Sequence, residues 1–271
     1  MLGISTTNAR VGGFRSKGLD ANAAAFIAAA GITDTTQKSA INRLVKNYKG
    51  IGDLNSTIDF WTNSIAIYPY VGGTATSHKF NLRNPLDTDA AFRIVWSGGV
   101  THNANGITGN GTNGFGDTFI VPSVNMSING IGATSYDRTN TVGLGRYTFG
   151  AFQTGIVMWH SYADTQFGYL GSLANVSFND SATPKGFKSL QRTASNVLKG
   201  FSNGVQVGTT VATTITNLPT NKIQILAANG LAFYSDHNLG FNSFGIGMSD
   251  ANALIQYNFI QAFQTDLGRQ V

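Results

Sequence analysis

The chain has 271 residues and a net charge of +5, and only 11% of it is charged, against roughly a quarter in an ordinary soluble domain. It contains no cysteine, and all 13 acidic residues are Asp, so disulfides, thiolate catalysis and zinc–thiolate sites are excluded, as is any paired-glutamate catalysis. Its 18 Lys and Arg are spread without a run, giving weak attraction to anionic surfaces but no stripe of the kind nucleic acid requires. No basic-then-apolar leader opens the chain and no apolar run approaches the span of a bilayer, so neither a secretion signal nor membrane insertion is expected. The surface must be covered by Asn, Thr, Ser, Gln and Gly, which suits a part held in an assembly or a secreted protein.

In chain order, residues 1–18 are polar and Gly-rich and read as an arm. Asp20 caps an alanine-rich helix over 21–30, which Gly31 stops. Asp34 and Gln37 stand as N-cap and N3 of a second helix, with Ile41, Leu44, Val45 and Tyr48 on one face and Gly50 at its end. Residues 19–65 therefore form a small helical attachment region, and 66–271 the main body. Thr76 to Leu82 alternates and predicts a strand. His78 has neither a second histidine nor a carboxylate near it in sequence, which favours a packing role over a ligand role.

From Ala90 the chain is a succession of short alternating runs broken by Gly and Asn. This pattern argues an antiparallel sandwich or barrel. Residues 102–114 are almost wholly turn-forming and read as one long loop. Asn203-Gly204 is the strongest hairpin signal, because both central positions of a type I′ turn need positive φ. A two-residue turn there sets Ser202 opposite Val205, Phe201 opposite Gln206 and Gly200 opposite Val207. At the end, Ser249 caps a helix over 249–267 whose apolar stripe is Leu254, Tyr257, Ile260, Phe263 and Leu267.

The run Phe201-Ser202-Asn203-Gly204-Val205-Gln206-Val207-Gly208, then Leu218-Pro219, then 222–230, resembles the last third of laminin-G-like, concanavalin A-like jelly rolls. The expected fold is thus mainly β, an antiparallel concanavalin A-like sandwich with a small helical N-terminal part and a C-terminal helix. Most of the chain is also similar to a group of bacteriophage proteins of Bacteroidetes-type hosts, through residues 26–34, 66–75 and 262–270. That resemblance implies a virion location and a structural role as a head-decoration, tail or fibre subunit. Other virion proteins and further copies of the chain would be its partners. The alternative it leaves open is a receptor- or glycan-binding module of a fibre.

Enzymatic readings fare poorly on the residues. Glycoside hydrolases of this fold use paired glutamates, which are absent, and Asp87 with Asp89 is the only aspartate pair at strand spacing. The run Gly200-Phe201-Ser202-Asn203-Gly204 spells G-x-S-x-G, but it lies in the hairpin and not in the strand-to-helix elbow that would present a nucleophile to His78, His102, His160 or His237. The chain is therefore expected not to be an enzyme. Laminin-G-like domains sometimes hold calcium at one rim, and the resemblance makes Asp117, Asp137, Asp164 and Asp236 candidates, with Asp164 and Asp236 foremost. Calcium needs six to eight oxygens, which no contiguous loop here supplies, so the competing reading is turn aspartates bonded to their own backbone. Glycan binding needs an exposed aromatic face with nearby Asn, Asp or Gly. Trp159, Tyr162 and Tyr169 around Asp164 fit that need, as does Tyr234 with Asp236.

Overall fold

The computed structural model describes residues 18–139, 146–153, 156–162, 165–171, 175–178, 185–229 and 233–271, with the backbone alone for 156–162, 165–166 and 178. The arm 1–17 lies outside the described residues.

Helix α1 (Ala21–Ala29) is capped by Asp20, whose side chain accepts from the Asn22 N–H. Helix α2 (Thr35–Tyr48) is capped by Asp34, which accepts from the Gln37 N–H at 2.7 Å. The Gln37 side chain does not return to the cap; its Oε1 accepts from Gly72 N at 2.9 Å and ties the helix to the chain leaving the first strand. Thr76 to Leu82 is not the expected strand. Thr74 accepts from Ser77 N at 3.1 Å, and this capping pair starts the short helix α3 (Ala75–His78), overriding the alternation of the sequence. Helix α4 (Pro122–Asn125) opens on its proline, and α5 (Asp250–Asp266) is capped by Ser249.

The strands, in chain order, are β1 (Ser64–Tyr68), β2 (Val95–Ser97), β3 (Thr101–Asn103), β4 (Gly106–Thr108), β5 (Phe115–Asp117), β6 (Ile131–Asp137), β7 (Arg146–Phe152) and β8 (Ile156–Tyr162). They continue as β9 (Thr165–Leu170), β10 (Val176–Phe178), β11 (Gly186–Ala194), β12 (Val197–Ser202), β13 (Val205–Val211), β14 (Gln224–Ile225) and β15 (Asn238–Gly245). The supposed loop 102–114 carries most of the β3–β4 hairpin, in which β3 is the polar edge of the sheet and β4, paired also to β15, buries Ile107.

These strands make two antiparallel sheets. The larger runs β13-β12-β11-β6-β15-β4-β3, with β1 also paired to β15; the smaller runs β10-β9-β8-β7-β14-β5-β2. The Asn203-Gly204 hairpin has the register read from the sequence, with φ of 49° and 80° at the turn. Ile131, Ala133, Leu190, Leu198, Leu239 and Phe244 of the larger sheet meet Phe149, Leu170, Val176 and Ile225 of the smaller in one core. Tyr136, Phe187 and Phe241 point to the opposite side of the larger sheet, where Phe26, Leu44, Tyr48, Phe259, Ile260 and Phe263 of the helices cover them in a second core. The molecule is thus a β-sandwich in which helices shield the outer face of the larger sheet.

The buried face of α5 is Ala253, Gln256, Phe259, Ile260, Phe263 and Gln264. Leu254, placed by the sequence at the head of the stripe, is 45% exposed. The helix is rotated so that two glutamines go inward, because the sheet beneath offers hydroxyls and carbonyls there: Gln256 Oε1 accepts from Thr134, and Gln264 Nε2 donates to Gly240 O.

Candidate functional site

At one end of the smaller sheet, three segments converge. A break in register between Tyr147 and Phe149 turns Tyr147 away from the core that holds Phe149. Tyr147 packs instead with Ala228 and Tyr169, whose neighbour Leu170 faces inward. Phe233 stacks on Tyr147 at 5.4 Å between ring centroids and 17° between planes, and is itself 48% exposed. Tyr234 lies half-buried beside Phe115, with centroids 6.3 Å apart. Asn175 Nδ2 donates to the Tyr169 hydroxyl at 3.4 Å. An aromatic plate is thereby set on a rigid strand, with one ring open to solvent.

A preorganised polar loop borders this plate. Asn110 Oδ1 accepts from the N–H groups of Thr112, Asn113 and Gly114, each at 3.0 Å. Asn113 Oδ1 accepts from Asn110 Nδ2 at 2.7 Å and from Gly99 N at 3.1 Å. The loop is pinned to the aromatic segment by Gly111 N donating to Ser235 O at 3.1 Å. Arg146 pairs with Asp236 at 3.1 Å, both part-exposed, so a cation and a carboxylate stand at the edge of the plate.

Beneath them lies a buried pair. His237 Nδ1 is 2.6 Å from Asp137 Oδ2, and both side chains are almost wholly removed from solvent. Burial works against the imidazolium, but the Asp137 carboxylate, with Asp236 behind it, holds the His237 pKa above its ordinary value. The second ring nitrogen, Nε2, has no partner. Among the described residues no serine hydroxyl bonds to this ring, and the pair ties the 233–238 segment to the end of β6.

A second histidine pair sits where β3 and β2 close the sandwich edge. His78 and His102 meet Nδ1 to Nδ1 at 3.1 Å, beside Trp96 and Tyr70. His78 is buried, as a packing histidine is, and its partner is 24 residues on, across the fold. His78 Nε2 accepts from Gly73 N at 3.1 Å, so its proton is on Nδ1 and is donated to His102. A metal on His78 Nδ1 would require a hydrogen on Nε2, which the Gly73 donor forbids. Burial, the neighbouring His102 and Arg269 push the His78 pKa down to about 3, and burial also lowers that of His102.

Of the other candidates, Asp117 pairs with Lys222 at 3.1 Å and accepts from its own Phe119 N–H, as a turn aspartate does. Asp137, Asp236 and Asp117 each face a different basic side chain, His237, Arg146 and Lys222. Among the described residues no three His or Asp side chains are placed to hold a metal ion. Asp164 lies outside the described residues, as do the side chains of Trp159 and Tyr162; their backbones pair within β8, Trp159 with Phe149 and Gly168. Tyr169 and Tyr234 reach the same rim. Phe233, Tyr147 and the Asn110 loop went unnoticed in the sequence. Their signal was three Asn/Gly-rich segments, whose convergence only the fold reveals.

No family model matches the chain, and no curated protein matches it. Among solved structures, a Trypanosoma rangeli sialidase, held as a covalent intermediate with 2,3-difluorosialic acid, is similar at a TM-score of 0.55 and 10% identity, covering 83% of this chain and 39% of that one. The receptor-binding domain of botulinum neurotoxin C/D mosaic serotype is similar at a TM-score of 0.51 and 12% identity, covering 73% of this chain and 51% of that one. The chain spans about half or less of the length of these proteins. What the likeness establishes is the fold: an antiparallel jelly-roll β-sandwich with helical parts at both ends. No described helix is long and apolar enough to cross a membrane.

Proposed function

We propose that this chain is a non-enzymatic glycan-recognition module, displayed on the surface of a phage particle. The observation that carries the recognition is the exposed Phe233 ring, backed by Tyr147 and flanked by the Asn110–Gly114 loop and the Arg146–Asp236 pair. Such a site offers an apolar plate for the C–H face of a sugar ring and fixed amides, a guanidinium and a carboxylate for its hydroxyls. Few polar groups set around an aromatic surface are what orient a small ligand. The similar folds add support, since one of those proteins is a sialidase bound to a sialic acid derivative and another a receptor-binding domain. The virion setting rests on the resemblance of residues 26–34, 66–75 and 262–270 to phage proteins, whose other subunits, with further copies of this chain, would then be its partners.

A glycan array probed with the full chain tests the reading. Binding is expected to fall tenfold or more, about 1.4 kcal/mol, in Phe233→Ala, with the circular dichroism of the fold unchanged. The Val124→Ala control, at a residue 77% exposed elsewhere, leaves it intact. A chain that binds no glycan but enters particles stoichiometrically would be a structural subunit instead, a role that the low surface charge also suits.

A further inference from the structure

The helices do not cover the larger sheet evenly. Going along β6 and β15 on the helix-facing side, the cross-strand pairs are Tyr136 with Phe241, Thr134 with Ser243, and Gly132 with Gly245. The aromatic pair fills the second core, after which the side chains shrink to hydroxyls and then to hydrogen. Helix α5 begins over this taper, and between it, the sheet and the 58–64 segment lies a cavity of about 150 Å³. The two glycines let neighbouring backbone close directly onto the strands at the cavity wall. A Cβ on Gly245 would stand 2.4 Å from Asn63 O, and one on Gly132 would stand 2.7 Å from Ile246 O.

The chemistry of the walls is specific. Thr134 and Ser243 supply hydroxyls, and Asn252 and Gln256 supply amides. Thr134 Oγ1 donates to Gln256 Oε1 at 3.1 Å, and the Tyr48 hydroxyl reaches Ser243 Oγ at 3.4 Å, so the groups are held in place by one another. Among the described residues no Lys, Arg or His borders the cavity. Its one carboxylate, Asp59, already accepts from Thr62 N at 3.0 Å and Thr62 Oγ1 at 2.7 Å. An anion would enter without a counter-charge, which burial penalises heavily, and a cation would meet a single carboxylate whose two oxygens are already engaged by Thr62. A hydrocarbon would leave the remaining donor and acceptor capacity of the hydroxyls and amides unused. At roughly 30 Å³ per water, the volume corresponds to about five waters or one small ring.

We propose that this cavity is a second binding site, separate from the aromatic rim, which takes a small uncharged polyhydroxylated molecule the size of a single cyclitol or sugar ring. The site stands on the opposite side of the sandwich from Phe233, and its occupancy does not depend on what the rim binds.

Titration of the isotope-labelled full chain with myo-inositol, followed by amide resonances, tests it. Saturable shifts are expected at Gly132, Gly245, Gly247 and Asn252, and inorganic phosphate is expected to produce none there. Thr134→Val keeps the shape and removes one hydroxyl; it weakens binding about three- to tenfold, as the loss of one neutral hydrogen bond does. Asn252→Leu, at the half-buried lip, does the same without disturbing the sheet, and Phe233→Ala at the rim changes nothing. The proposal is overturned by shifts that fail to saturate by about 100 mM myo-inositol, where binding is too weak to be specific. Equal affinity in wild type and both cavity variants, or a response to phosphate in place of inositol, also overturns it.

Discussion

The proton shared by His78 and His102 has a direction, and the direction gives a pH dependence. With Gly73 N–H donating to Nε2, the neutral His78 ring is the form that the fold holds, and a second proton would sit buried between two donors. The unfolded chain takes up that proton at the ordinary value of 6.5, the folded chain only at about 3. Stability from this group is therefore complete above pH 6.5 and falls as the pH drops, by up to about 1.4 kcal/mol per unit. His102 acts in the same sense. His237 acts in the opposite one: its raised pKa gives stability that is full below 6.5 and is lost on the alkaline side. Urea unfolding between about pH 7 and pH 5, above the range where carboxylates titrate, should show the decline, and His78→Gln should flatten it. An undiminished slope in that variant would remove His78 as its source. Nothing in the sequence announced the pair, because the contact is made by the closure of two sheet edges and leaves no local spacing.

At the scale of elements, the C-terminal helix is held from its far end. Arg269, just past α5, is wholly buried and pairs with no carboxylate among the described residues. Its guanidinium donates to Pro69 O at 2.6 Å, Tyr70 O at 2.7 Å, Gly240 O at 2.8 Å and Gln264 Oε1 at 2.7 Å. Burial lowers its pKa to about 9. The residue joins the end of α5 to the chain leaving β1 and to β15, and its removal strands several carbonyls at once. Arg269→Met is expected to cost about 3–5 kcal/mol in urea unfolding, and Arg269→Lys to recover only part, since an ammonium cannot span the same fork of acceptors. By contrast the Arg43–Asp266 pair between α2 and α5 is about one-third exposed. Asp266→Asn should cost under about 1 kcal/mol, and a larger loss would mean that the pair is better shielded than its exposure indicates. The element boundaries follow the same logic. Caps at Asp20, Asp34 and Ser249 and the Asn203-Gly204 turn were legible because they are local chemistry. The inward glutamines of α5 were not, because their partners come from distant strands, and the β3–β4 hairpin was not, because its short polar strands carry no apolar alternation.

For the whole molecule, the larger sheet is the wall between two cores, and this decides how the parts depend on each other. Helix α1 has nine residues and buries only Ala23, Phe26 and Ile27; α2 has fourteen. Helices of that length are marginal alone, so they need the wall formed by Tyr136, Phe187 and Phe241. Those aromatics in turn would face water if the helices left. The composition and turn spacing sufficed to read a sandwich with helices at its ends, but not that both helical parts meet on one face, because the choice of face is made by pairings such as β15 with β6. That asymmetry leaves the outer face of the smaller sheet for the aromatic rim. It also makes residues 19–65 part of the cooperative unit. The urea transition seen in the far-ultraviolet, where helices dominate, should coincide with that seen by tryptophan fluorescence of a Trp61→Phe variant, whose remaining Trp96 and Trp159 both lie in strands of the sandwich. An earlier loss of the helical signal would show instead that the helices dock on a sandwich able to stand without them, and the exposed aromatic wall would then bind a hydrophobic dye at intermediate urea.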